Sequence, residues 1–125
     1  MEFRNLLKEV LQTDYINAAF IVDRHGYPIA HQTRRDLDSD ETLAVQLCAV
    51  QGAIDCLGSQ LHLGEGRQFM LEFTGGIVMC ASLTPDLLLV VIAAPSATLG
   101  LFRTFFSSFL SRFAKEANLH EEVAR

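Results

Sequence analysis

Charge is scarce in this chain: Asp, Glu, Lys and Arg make up 20% of its 125 residues, below the share of about 25% usual in soluble domains. Half of the residues are hydrophobic. A single domain with that surplus has too little polar side chain to cover its whole surface, so part of the surface is expected to be buried between chains. Basic clusters are missing as well. The formal net charge is −5 and no run of Lys or Arg exceeds the pair Arg34–Arg35, which removes the electrostatic footprint that nucleic-acid binding requires. Long apolar runs are also absent: the longest, Leu87 to Ala94, has eight residues, too few to span a bilayer core about 30 Å thick. The amino-terminal MEFRNLLKEVLQ is charged and amphipathic, unlike a secretion signal. A cytoplasmic protein without membrane insertion is expected.

Recognisable chemistry is equally sparse. Cys48, Cys56 and Cys80 are odd in number and form no CxxC pair; they are expected to be reduced, buried thiols rather than a disulfide or metal site. His25, His31, His62 and His120 lack ligand spacing. Neither GxxxxGK[ST] nor GxGxxG occurs, and Gly64-Glu65-Gly66 follows a helical pattern instead of preceding one. No GxSxG elbow surrounds the serines. Asp36, Asp38, Asp40 and Glu41 lack the later acidic ligand of a calcium loop and fit a solvated helix cap. No catalytic, cofactor or metal site is therefore assigned. A small domain without such machinery is expected to act through its surfaces.

The pattern predicts the order α-β-β-α-β-β-β-α, an α+β sandwich of one sheet with packed helices. Residues 2–13 place Phe3, Leu6, Leu7, Val10 and Leu11 on one side of a helix. Ala18 to Val22 is an apolar strand, Asp23-Arg24-His25-Gly26 a tight turn, and Tyr27 to Gln32 a second strand. Pro28 has no N–H to donate and assigns that strand to an edge. Arg67 to Phe73 alternates, with Phe69, Leu71 and Phe73 opposite Gln68, Met70 and Glu72. Gly75-Gly76 turns into a strand over Ile77 to Leu83. The unbroken Leu87 to Ala93 fits a central strand covered on both faces. The last helix opens at Pro95-Ser96 and repeats Leu99, Phe102, Phe106, Phe109 and Phe113. One domain over 1–125 is expected, with a core near 3–114 and a frayed tail ending in HEEVAR.

The most informative stretch is Asp38 to Leu63, a helix with Asp38 as N-cap, Glu41 at capping-box spacing, and Gly64 and Gly66 as terminators. At about 100° per residue, Leu43, Leu47, Val50, Ile54, Leu57 and Leu61 fall within roughly 40° of one line. That stripe is expected to face the sheet. The opposite side gathers Val45, Cys48, Ala49, Gly52, Ala53 and Cys56, and Asp55 is the only formal charge between Thr42 and Leu63. A helix apolar nearly all round is buried on more than one side, which requires a partner.

These segments together resemble the roadblock family of small domains, named after a dynein light chain. The matching pieces are AAFIVDRHGYPIA at 18–30, ETLAVQLCAVQGAI at 41–54, FMLEFTGGIVMCASL at 69–83 and LLLVVIAAPSATLGLFRTFF at 87–106. The resemblance implies a five-stranded antiparallel sheet in the order 2-1-5-4-3 with helices on both faces. It further implies a homodimer in which third strands meet edge to edge and second helices pack side by side. On this chain that assigns Ala49, Gly52, Ala53 and Cys56, with Gln68, Phe69, Met70, Leu71, Glu72 and Phe73, to the dimer interface. The resemblance implies a regulatory and scaffolding function: many bacterial members bind a small Ras-like GTPase, and one acts as its GTPase-activating protein without donating an arginine finger. Val45, Gln46, Cys48, Arg34 and Arg35 are the expected partner-binding residues; Arg24, like both arginines, is expected at the surface. The rival expectations are an assembly adaptor that leaves GTP hydrolysis unchanged and a small-molecule sensor.

Overall fold

A computed structural model describes residues 2–34, 40–95 and 99–124. The elements run α1 (Glu2–Val10), β1 (Ile16–Asp23), β2 (Pro28–Thr33), α2 (Asp40–Gln60), β3 (Gln68–Phe73), β4 (Gly76–Ser82), β5 (Leu87–Ala93) and α3 (Leu99–Ala124). All strand pairs are antiparallel and the sheet order is β2-β1-β5-β4-β3. Both the predicted element order and the implied strand order are therefore present. Asp38, the expected N-cap, and the expected helix opening at Ser96 lie outside the described residues.

Strand β5 sits at the middle of the sheet, where residues of alternating direction bury against helices on both faces; this explains its unbroken apolar sequence. On one face, Ile21, Leu89, Val91, Met79 and Ile77 pack under α1 and α3, which contribute Phe3, Leu7, Val10, Phe106 and Phe113. The Phe3 and Phe113 rings stack with centroids 6.4 Å apart. On the other face, Ala18, Phe20, Val22, Cys80, Leu88 and Val90 receive Ala44 and Leu47 of α2. Strand β2 is an edge and begins at Pro28, where a missing donor is tolerated. The register slips beside it, between Ile21 and Val22.

Two expectations need correction. First, α2 is rotated about its axis. Among its described residues the buried ones are Ala44, Leu47 and Gln51, while Leu57 and Leu61 of the predicted stripe remain 55% and 56% exposed. Small Ala44 permits close approach, and polar partners below hold Gln51 down; both draw the helix onto that flank. Second, the helix ends before its glycines. Leu63 N–H donates to Gly58 O at 2.7 Å and His62 N–H to Ser59 O at 3.2 Å, the paired bonds of a Schellman cap, with His62 as the left-handed residue at φ 61°. Helix α3 runs Leu99–Ala124 and includes most of the expected tail; adding residues to an existing helix is far easier than starting one.

Candidate interaction face

The outer side of α2 is open. Val45 is 58% exposed, and Gln46, Ala49, Gly52, Ala53, Cys56 and Leu57 are exposed with it. A Cβ added at Gly52 would meet nothing within 4 Å. Residues 45, 49, 53, 57 and 61 form one ridge of four-residue spacing, the kind that packs into the groove of a second helix. By length and composition, Thr42–Gln60 is apolar enough to cross a membrane, although only 17% of that stretch is buried in the chain.

The adjoining sheet is incompletely covered too. Leu71, Val78, Ile92 and Ala18 lie side by side in register on the α2 face. Ala18 is buried, Val78 and Ile92 are half-buried and Leu71 is exposed. Beyond Leu71, Phe73 is 57% exposed. Among the described residues, strand β3 pairs only with β4, so its other backbone edge has no strand beside it. Gln68 and Glu72 are exposed on that strand, whereas Phe69 and Met70 are half-buried against opposite faces. The residues expected at a dimer interface thus lie on an exposed apolar helix face and on the outermost strand β3.

The expected partner-binding set divides. Val45 and Gln46 are exposed on α2, but Cys48 turns inward, its thiol donating to Asp23 O at 3.1 Å. Burial raises its pKa, and pushes that of the fully covered Cys80 up to about 12. Cys56 is exposed, so the expectation of three buried thiols holds for Cys80 and only partly for Cys48. Arg34 is exposed, yet its guanidinium is committed to the α1–β1 connection: Nε donates to Ile16 O at 2.6 Å, and Nη2 to Thr13 O at 3.0 Å and to Leu11 O. Arg35 lies outside the described residues.

Arg24 is not the surface residue it was expected to be. Its side chain is only 20% exposed and reaches Asp55 Oδ2 at 3.4 Å from Nη1, while Nη2 donates to Ser82 Oγ at 2.5 Å. Asp55 Oδ1 accepts from Gly66 N–H at 2.9 Å and from Gln51 Nε2 at 3.0 Å, and the same Gln51 amide donates to Gly66 O. One carboxylate thereby joins α2, the β1–β2 turn and the loop before β3. The sequence signal was Asp55 itself, the lone charge of an apolar helix. Beside this network runs an open groove of about 790 Å³ bordered by Arg24, Gly66, Arg67, Ser82, Thr84 and Leu110. Among the described residues, no group of three or more His, Cys, Asp or Glu side chains is placed to hold a metal ion.

The family model for the Roadblock/LC7 domain matches residues 2–93. The chain belongs to the Roadblock/LC7 domain family. Solved structures agree with this roadblock fold. Myxococcus xanthus MglB superposes with a TM-score of 0.87 at 17% identity, covering 94% of this chain and 96% of that one. The gliding protein MglB from Thermus thermophilus gives 0.77 at 21%, over 90% and 87%. A Roadblock/LC7 domain from Streptomyces avermitilis gives 0.81 at 15%, over 95% and 97%. At such identities the likeness concerns the fold. No curated protein sequence matches the chain.

Proposed function

We propose that this roadblock protein acts in the cytoplasm as a homodimer that binds a small Ras-like GTPase and modulates its nucleotide cycle. The observation that carries the reading is the uncovered apolar face of α2, together with a β3 edge that pairs with no strand among the described residues. In the dimer, β3 pairs with its counterpart to extend the sheet, and Ala49, Gly52, Ala53 and Cys56 let the two α2 helices approach closely. The paired helices then leave a joint platform, with Val45 and Gln46 available to the GTPase. Likeness in fold to two MglB proteins supports the reading, as does the family's regulatory role.

Regulation here means rearranging the GTPase's own catalytic groups rather than donating an arginine finger; Arg24 is engaged with Asp55 and Ser82, and Arg34 with backbone carbonyls. GTPase activation is the strongest form of this function. The test is to mix the protein with the Ras-like GTPase encoded nearest to it, loaded with GDP or with a non-hydrolysable GTP analogue, and to measure complex formation and turnover. Complex formation with altered turnover is expected. Binding with unchanged turnover would make the protein an assembly adaptor, and absence of binding in both nucleotide states would overturn the proposal for that GTPase.

A further inference from the structure

Among the described residues the sheet has a second open edge, on β2, and its surroundings differ from those of β3. Helix α1 runs along it, and Arg4 and Lys8 border a groove of about 440 Å³ completed by Ile29, Ala30, His31 and Gln32. Both cations are exposed, and among the described residues neither takes part in an ion pair. A basic groove stands out on a chain whose net charge is −5. Ile29 of this groove is 50% exposed, and Tyr27, just before β2, is 67% exposed.

We infer that the β2 edge is a docking site for an extended acidic peptide segment of a partner protein, which joins the sheet as an additional strand with its carboxylates over Arg4 and Lys8. The spacing fits. Four helical residues rise about 6 Å, close to the roughly 6.6 Å between same-face residues of a strand, so two alternate acidic residues reach the two cations together. Intervening apolar residues of the peptide fall on the opposite face, the one carrying Ile29 and His31; His31 is placed there by its ring, 6.2 Å from that of Phe20. Backbone pairing supplies affinity and the alternation supplies selectivity. Pro28 occupies only the first position of β2 and leaves the remainder able to pair. A second copy of this chain is a poor occupant, since edge-to-edge pairing of two β2 strands would bring two sets of Arg4 and Lys8 together.

The test uses the full-length protein and three fluorescently labelled octapeptides: alternating Glu and Val, the same peptide N-methylated at alternate amides, and alternating Lys and Val. Fluorescence anisotropy should show saturable binding of the Glu–Val peptide alone. The double variant Arg4→Glu/Lys8→Glu, checked by circular dichroism for an intact fold, should weaken it by about tenfold or more. Backbone amide shifts of the 15N-labelled protein on titration should centre on residues 28–33. Absence of binding, equal binding of the methylated peptide, indifference to the double charge reversal, or shifts centred on 68–73 would each overturn the proposal. Equal binding of the methylated peptide would identify simple charge attraction, of the kind any polyanion shares.

Discussion

Arg24 and Asp55, 31 residues apart in sequence, meet with Nη1 and Oδ2 3.4 Å apart beneath α2. Asp55 also receives Gly66 N–H and the Gln51 amide, so a single side chain fixes where α2, the β1–β2 turn and the loop before β3 lie relative to one another. Truncating it would leave the mostly buried Arg24 and two donors without their acceptor. We expect Asp55→Ala to cost about 2 kcal/mol and Asp55→Asn to cost less, because its amide oxygen still accepts from Gly66. Urea denaturation of both variants would check the order; equal stability of Asp55→Ala and wild type would disprove the arrangement.

Two glycines of α2 should respond oppositely to substitution. A Cβ at Gly58 would lie 2.0 Å from Gly64 O, whereas one at Gly52 meets nothing. Gly58→Ala must push the returning loop off the helix, at a cost of about 3 kcal/mol, or roughly 10 °C in Tm. Gly52→Glu should leave the fold of the single chain intact and prevent pairing through α2. Thermal melts together with sedimentation velocity separate the two effects. A Gly52→Glu protein that still sedimented as a full-strength dimer would rule out the proposed helix pair.

The thiols give a reading of the same interface. Cys80 is buried and Cys56 exposed in the single chain, so a thiol reagent at neutral pH should modify Cys56 readily and leave Cys80 untouched until unfolding. If α2 pairs with α2, labelling of Cys56 should slow as protein concentration rises through the dimerisation range. A rate independent of concentration would place Cys56 outside any interface.

Cys80 also implies an alkaline limit. Its folded pKa, raised by burial to about 12, exceeds the ordinary thiol value of about 8.5, so the folded state holds this proton more tightly than the unfolded chain. Stability from this group is fully present below the unfolded value and declines as pH rises toward the folded one. Cys80→Ala should therefore show a shallower loss of stability than wild type between about pH 8.5 and 12, measured by denaturant unfolding across that window. Parallel pH profiles would contradict the assignment.

Arg34 distinguishes a structural role from a recognition role. Its hydrogen bonds to Leu11, Thr13 and Ile16 carbonyls clamp the connection between α1 and β1. We expect Arg34→Ala to lower stability by about 1–2 kcal/mol while GTPase affinity at a temperature where the variant is folded stays unchanged. A large affinity loss with no loss of stability would return Arg34 to the partner surface.

The sequence by itself determined the element order, the edge position of β2 through Pro28 and the central position of β5 through its unbroken apolar run, because these follow from backbone chemistry and from side-chain periods of two and 3.6. It also marked α2 as a helix with too much apolar surface. Tertiary structure decided which side of that helix faces inward. The leucines at 43, 47, 57 and 61 define a stripe, yet Ala44, Leu47 and Gln51 are the buried residues. Close approach at a small residue and a carboxylate shared by Arg24, Gln51 and Gly66 outweigh the leucine stripe, and such partners come from distant parts of the chain. Likewise Arg34 reads as a free surface charge until the fold brings carbonyls to it, and no local pattern records that.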